Sequence, residues 1–221
     1  MKIVVICSGG MDSVTLLYHL ASIDHEVVAL SVNYGQKHLR ELEFAKMHAD
    51  KLGVDFQLAD LTGITHLLQG SALTDSSIAV PDGHYEDETM KATVVPNRNM
   101  IMLSVAIGYA ISIKADAVAY GAHAGDHAVY PDCRPQFADA MEEVAALADW
   151  REIKLLRPFV LMTKTRIALE AAKLGVDLAT TWSCYRGGKT HCGTCGTCVE
   201  RKEAIELAGL IDPTVYSEQE L

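Results

Sequence analysis

The sequence predicts an α/β protein built on a doubly wound parallel sheet. Three observations carry this. Short apolar runs alternate with helical segments in the first half of the chain, from Lys2 to Asp60, the pattern of βαβ units with right-handed crossovers. The first run, Ile3-Val4-Val5-Ile6-Cys7, passes through two glycines straight into a helical pattern. Hydrophobic residues make up 49% of the 221, enough for a sizeable core in one large domain with a small appendage.

Lys2 to Cys7 reads as a buried strand and Asp12 to Ser22 as a helix. Between them lies Ser8-Gly9-Gly10-Met11-Asp12-Ser13, where Gly9 and Gly10 admit backbone angles that other residues resist. Such a helix start offers unpaired N–H groups and a positive dipole end to an anion. Ser8 and Ser13 add hydroxyl donors. Asp12 places a carboxylate there, which suits a Mg²⁺ ion between it and a phosphate, or a simple cap. The string lacks the Gly-Lys-Ser/Thr of a Walker loop and is not a Gly-x-Gly-x-x-Gly fingerprint.

A second strand runs from Glu26 to Val32, a helix from Leu39 to Leu52 closed by Gly53, and a third strand from Asp55 to Asp60. Residues 69–96 lack periodicity and carry Gly70, Pro81, Gly83, Pro96 and the acidic run Glu86-Asp87-Glu88. They read as a long surface loop, either a lid or disordered. Asn97 to Ile113 is a helix whose apolar part, Met100 to Ile113, is shorter than the roughly 20 residues a bilayer needs. Ser104, Gly108 and Ser112 make a flat stripe on it, expected of a core helix packed closely on the sheet. Asp116 to Tyr120 is a fourth strand, ending at Gly121. Phe137 to Leu147 reads as a helix, Glu152 to Leu156 as a short strand, and Thr163 to Leu174 as a helix closed by Gly175. Composition turns to Cys, Gly and Thr from Thr180, and Cys198 to Leu210 reads as a final helix. The expected division is an α/β domain over 1–178, whose helix start after the first strand suits an anion, and a cysteine-bearing segment over 179–221 packed on it.

The formal net charge of −10 disfavours a nucleic-acid partner. Five apolar residues after Lys2 are too few for a secretory leader, so a cytoplasmic, membrane-free protein is expected. Cys184, Cys192, Cys195 and Cys198 cluster, while Cys7 and Cys133 stand apart as expected buried thiols. Four thiolates suit tetrahedral Zn²⁺, and the glycines after Cys192 and Cys195 let backbone N–H groups face sulfur. An Fe–S cluster is the chemical rival, and His191 is a substitute ligand. Four closed ligands leave no open position, so the zinc is structural.

Ser8 to Ser13 resembles the pyrophosphate (PP) loop, Ser-Gly-Gly-x-Asp-Ser, of the ATP pyrophosphatases. Together with the four cysteines, it makes the chain similar to the 7-cyano-7-deazaguanine synthase (QueC) family. Val32-Asn33-Tyr34-Gly35-Gln36-Lys37-His38, Val95-Pro96-Asn97-Arg98-Asn99 and Tyr130-Pro131-Asp132-Cys133-Arg134 resemble family strings, as does Lys164 at a late helix start. The resemblance runs from residue 3 to about residue 208. Asn97 stands where glycine is expected, which calls for a left-handed residue that Asn tolerates or for a different turn. Ala124-Gly125-Asp126-His127 departs from an Asn/Glu-rich pattern.

The resemblance implies an adenine nucleotide α-hydrolase-like, Rossmann-like fold with a zinc segment, and cleavage of ATP between its α- and β-phosphates. It implies a ligase that joins ammonia to 7-carboxy-7-deazaguanine through an adenylated carboxylate and an amide, giving 7-cyano-7-deazaguanine for queuosine and related bases. Nucleotide contacts would fall at Cys7, Ser8, Gly9, Gly10, Met11, Asp12, Ser13, Val14, Thr15, Leu16 and Leu17. Asp12 (toward Mg²⁺), Arg98 and Lys164 would be catalytic. Gln36, His38, Arg98, Asn99, Tyr130, Asp132 and Arg134 would bind the base, Asp132 accepting from its N1–H and exocyclic amine unless it pairs with Arg134. The resemblance also implies a homodimer. Other readings are an RNA-thiolating or lysidine-forming sibling, an ammonia-dependent NAD synthetase, an amide-forming relative, and a zinc-stabilised ATP-binding scaffold. The RNA readings lack a basic surface, and the NAD synthetase lacks the four cysteines.

Overall fold

The computed structural model describes residues 1–85 and 87–217. Strands β1 (Lys2–Ile6), β2 (Glu26–Asn33), β3 (Asp55–Asp60), β4 (Ala117–Ala119) and β5 (Lys154–Leu156) form a sheet in the order β3-β2-β1-β4-β5. Every pairing is parallel, with Val4 facing Val28 on one side and Val118 on the other. β1 is central and buried on both faces, which is why it reads as a continuous apolar run. Its side chains alternate. Ile3, Val5 and Cys7 share a core with α1 (Met11–Ala21), α2 (Arg40–Leu52) and α5 (Lys164–Lys173). Val4 and Ile6 share one with α3 (Arg98–Ser112) and α4 (Pro135–Ala146). The chain builds outward from β1 through β2 to β3, then returns to add β4 and β5 on the other side. The crevice at the β1/β4 carboxyl ends is therefore the place where such a sheet binds ligands.

α6 (Gly196–Leu207) places Ile205 in the first core. Arg201 on α6 is fully buried and donates to Thr181 Oγ1 at 2.8 Å, the Leu178 carbonyl at 2.7 Å and Thr214 Oγ1 at 2.8 Å. The bond to Leu178 ties the cysteine-bearing segment to the preceding chain, and those to Thr181 and Thr214 brace the segment itself. No helix among the described residues is long and apolar enough to cross a membrane.

Two expectations are corrected. Ser104, Gly108 and Ser112 face outward, and α3 instead buries Leu103, Ala106, Ile107 and Ala110. Larger aliphatic groups bury more apolar area against the sheet, and the two alanines already allow close approach. Segment 69–96 is neither disordered nor merely superficial. It buries Ala72, Leu73, Val80, Tyr85, Met90 and Val95, contains a 3₁₀ turn over Glu88–Thr93, and is tied by Ala72 N–H to the Ala92 carbonyl at 2.7 Å. It also reaches the cysteines, where Gly83 N–H donates to the Thr194 carbonyl at 3.2 Å. Of the acidic run, Glu86 lies outside the described residues. Several boundaries move by a few residues: α4 starts at Pro135, suited to a first helical position, and α6 spans Gly196–Leu207 rather than Cys198 to Leu210.

Candidate active site and metal centre

The pyrophosphate-type loop sits at the β1 carboxyl end. Gly9 has φ +92°, and a Cβ there would lie 1.9 Å from the Glu41 carbonyl oxygen. Only glycine allows α2 to come this close. Trp182 N–H donates to the Gly9 carbonyl at 2.9 Å, so the cysteine segment also holds the loop. Inside the loop, Ser13 Oγ accepts from Ser8 N–H at 3.1 Å, and Ser8 Oγ accepts from Gly10 N–H at 3.3 Å. α1 has no side-chain cap. Asp12 is thus not an N-cap, and the first-turn N–H groups are left for a ligand.

Asp12 Oδ2 instead meets Lys164 Nζ at 2.5 Å, and Lys164 also lies 3.2 Å from His123 Nε2 and 3.3 Å from Glu200 Oε2. Lys164 opens α5 beside the cap Thr163, which is where a lysine gains nothing from the helix dipole. Burial opposes ionisation of Asp12, yet the charges of Lys164 and His123 outweigh it and hold its carboxyl below 3.8. Burial likewise opposes the Lys164 charge, and Asp12 and Glu200 reverse that and raise its pKa. Asp12 Oδ1 is buried without a hydrogen-bond partner. Asp126 accepts from Tyr85 OH at 2.9 Å and from His123 N–H at 3.2 Å, closing this side of the cavity.

Arg98 lies across the same cavity at the start of α3. The preceding Asn97 adopts φ +56°, the left-handed geometry that its departure from glycine requires. Arg98 stacks its guanidinium over Tyr130 at 5.7 Å and donates to Asn99 Oδ1 at 3.3 Å. Among the described residues no carboxylate pairs with it. Phenols surround it: burial pushes Tyr34 up to about 12 against the pull of Arg98, and Tyr130 OH shares protons with Thr93 Oγ1 at 2.7 Å and Tyr185 OH at 3.3 Å.

The cavity gathers Cys7, Ser8, Gly10, Met11, Asp12, Ser13, His38, Arg98, Asn99 and Lys164 from the sequence-expected set. Gly9 contributes backbone beneath it, and Val14, Thr15, Leu16 and Leu17 are buried within α1. Gln36 is buried behind the wall, where Nε2 donates to the Val32 carbonyl at 3.2 Å and to Glu41 Oε1 at 3.0 Å. Tyr130 stands behind Arg98 rather than on the surface of the cavity. Asp132 lies outside and accepts from Asn99 N–H at 3.1 Å, while exposed Arg134 donates to the His127 carbonyl at 2.9 Å rather than to Asp132. Tyr34, Glu41, Tyr85, Asp126 and Tyr185 also line the cavity, and sequence reading gave none of them a role. Tyr34 follows the β2 carboxyl end, Asp126 follows β4 and Tyr185 adjoins Cys184, whereas Tyr85 carries no such signal.

Cys184, Cys192, Cys195 and Cys198 bring their sulfur atoms within 4.8 Å of one another. Cys192 and Cys198 Sγ are 3.9 Å apart, close to the spacing of about 3.8 Å set by tetrahedral Zn–S bonds. Cys192 N–H points to Cys184 Sγ at 3.4 Å and Cys195 N–H to Cys192 Sγ at 3.3 Å, as thiolate ligands require. His191 is not of this set. Its Nε2 accepts from Ser183 N–H at 3.0 Å and its ring lies 4.3 Å from that of Trp182.

Known proteins are similar to this chain over nearly its whole length. A 7-cyano-7-deazaguanine synthase from Brucella anthropi is 55% identical over 221 residues, covering 99% of this chain and 94% of its own. One from Hahella chejuensis is 52% identical over 215 residues, covering 97% and 93%. Among solved structures, the U34-tRNA thiolase NcsA from Methanococcus maripaludis, with its 4Fe-4S cluster, aligns with TM-score 0.52 at 15% identity over 96% of this chain and 73% of its own. NMN synthetase from Francisella tularensis aligns with TM-score 0.52 at 14% identity over 95% and 77%. These two likenesses concern the fold alone. The family model described as Queuosine biosynthesis protein QueC matches residues 2–209, and the chain belongs to that family.

Proposed function

We propose that this cavity is where ATP is split between its α- and β-phosphates to drive ligation of ammonia to 7-carboxy-7-deazaguanine. The chain acts as a carbon–nitrogen ligase producing 7-cyano-7-deazaguanine, the activity its relatives are named for. One observation carries the reading. An uncapped helix start with two serine hydroxyls and the Asp12–Lys164 pair shares one cavity with an arginine that has no carboxylate partner among the described residues. The first group suits a pyrophosphate, the second a carboxylate substrate.

The chemistry then runs in two activations. A carboxylate oxygen of the base bonds to the α-phosphorus and pyrophosphate leaves. Ammonia attacks the carbonyl carbon, AMP departs with the C–O electron pair, and a proton is lost. The amide oxygen bonds to the α-phosphorus of a second ATP and pyrophosphate leaves again. Loss of AMP and of the remaining N–H protons gives the nitrile. Ser8 to Ser13 hold the departing pyrophosphate and Lys164 offsets its negative charge, while Arg98 holds the carboxylate being activated. The buried, unpartnered Asp12 Oδ1 fits Mg²⁺, which supplies further neutralisation of the phosphates. The four cysteines fit a zinc ion as a structural staple for the start of α6, with an Fe–S cluster the alternative occupant. We read the protein as a cytoplasmic homodimer acting on the free base, and its net charge of −10 supports the absence of nucleic-acid contact.

The test is mass spectrometry of the purified metal-loaded protein with Mg-ATP, ammonium and 7-carboxy-7-deazaguanine. The nitrile base is the expected product. An amide that goes no further would make this an amide-forming relative. ATP consumption with no change in the base would discard the substrate, and no ATP consumption would leave a binding protein.

A further inference from the structure

Glu41 lies in the first turn of α2, lines the cavity, and is only 7% exposed. No lysine or arginine pairs with it among the described residues. Its neighbour His38 Nε2 is 3.6 Å from Oε1. His38 is neutral, because burial and the nearby Arg98 charge push it down to about 3. Gln36 is the only hydrogen-bond donor to the carboxyl among the described residues, through Nε2 to Oε1 at 3.0 Å. Gln36 is itself fixed by Val32 and by Tyr34 N–H, which donates to Gln36 Oε1 at 2.9 Å. The Glu41 backbone is fixed too, since its carbonyl rests against Gly9 of the pyrophosphate-type loop. The result is a buried carboxyl of fixed position, with one oxygen held and the other free, registered against the loop that grips ATP.

A buried carboxyl with no ion-paired cation is costly to ionise, and burial pushes Glu41 up to about 8 although the Gln36 hydrogen bond and the charge of Arg98 pull the other way. A ligand with two adjacent N–H donors removes that penalty by satisfying both oxygens. The pyrimidinone edge of a 7-deazaguanine carries such a pair, N1–H beside the exocyclic amine. The same base bears its carboxylate on the other ring. Glu41 and Arg98, which has no carboxylate partner among the described residues, line one cavity with Tyr185 and His38, whose ring centroids lie 5.4 Å apart. A carboxyl and a cation in one aromatic-lined site mirror a planar base with donors at one end and a carboxylate at the other. Adenine offers an acceptor where guanine has N1–H, so it lacks this donor pair.

Resting on the ligase reading above, we propose that Glu41 sets the base specificity, its carboxylate accepting from N1–H and the exocyclic amine of the substrate while Arg98 faces the 7-carboxylate. Gln36 is a positioning residue that holds the carboxyl in plane.

The experiment compares the metal-loaded wild type with Glu41→Gln, using 7-carboxy-7-deazaguanine and its analogue without the 2-amino group. The wild type discriminates against the analogue, and at pH 7 binding of the full base releases close to one proton, read by calorimetry in buffers of different ionisation enthalpy. Glu41→Gln raises KM for the base by about 10- to 100-fold, leaves KM for ATP in place, loses the discrimination and releases almost no proton. A KM change confined to ATP would assign Glu41 to adenine and overturn the proposal. Unchanged base KM and discrimination would also overturn it. Should the variant fail to fold, wild-type discrimination and proton release decide alone, and absence of both overturns it. A wild type that makes no nitrile from this base removes the ligase reading itself, an outcome separate from all of these, and the assignment falls with it.

Discussion

Gly9 and Glu41 are in backbone contact so close that a methyl group on Gly9 would sit 1.9 Å from the Glu41 carbonyl oxygen. This contact ties the loop after β1 to the start of α2. Gly9→Ala must also adopt φ +92°. The strain alone costs about 1–3 kcal/mol, and the clash displaces α2 further. The expected result is a melting temperature lower by roughly 5–10 °C and lost ATP binding, read by calorimetry and nucleotide titration.

Base binding should depend on pH in a defined direction. The groups near the Glu41 carboxyl are His38 and Gln36 from the segment before α2, Arg98 from α3, Tyr34 after β2 and Cys7 after β1. His38 stays neutral and Arg98 stays charged throughout. With Glu41 at about 8 in the free protein, the ionised form is scarce at pH 6 and dominant at pH 9. KM for the base should therefore fall about tenfold per pH unit below 8 and level off above it. A steady-state series at saturating ATP checks this, and a flat profile contradicts it.

The Asp12–Lys164 pair separates catalysis from folding. Asp12→Asn leaves Lys164 beside Glu200 and should lower kcat by about 10²–10³ while the fold persists. Lys164→Ala leaves Asp12, Asp126 and Glu200 crowded with no lysine among them, and should destabilise the protein by about 3 kcal/mol as well as stopping turnover. Urea denaturation of both variants distinguishes the two effects. The sign with pH follows from Asp12 being held below 3.8: its stabilisation is present above that value and is lost as pH falls through the lowered one.

Removal of a cysteine ligand should reach the cavity through α6. Thr197 lines the cavity and Glu200 contacts Lys164, and each stands two residues after a candidate ligand, Cys195 and Cys198 respectively. Cys198→Ser should lose bound metal from about one ion per chain, lower the melting temperature by more than about 10 °C, and weaken ATP binding together with it. Elemental analysis beside calorimetry checks this, and full metal content with unchanged melting contradicts it.

Much of this architecture was legible in the sequence because it rests on local patterns. The β1 apolar run, the two glycines and the cysteine spacing each fix short-range geometry, and the structure places them as those patterns require. Segment 69–96 was not legible, since its order comes from contacts far along the chain, such as Gly83 with Thr194, rather than from any periodicity. The Ser104, Gly108 and Ser112 stripe misled because small residues mark close packing as readily as an open face. Asp132 carried the expected chemistry for a base edge, and in the structure its Oδ2 accepts from Asn99 N–H at the start of α3. Glu41 looked like one more acidic residue in a first helical turn, and only the fold turns it inward beside the pyrophosphate-type loop.

The most direct test of the account is the fate of ATP during one nitrile-forming turnover, followed by ³¹P NMR with quantified base product. Cleavage at the loop predicts AMP and pyrophosphate, two of each for every nitrile. ADP and inorganic phosphate in their place would contradict the assignment of Ser8 to Ser13 as the pyrophosphate site.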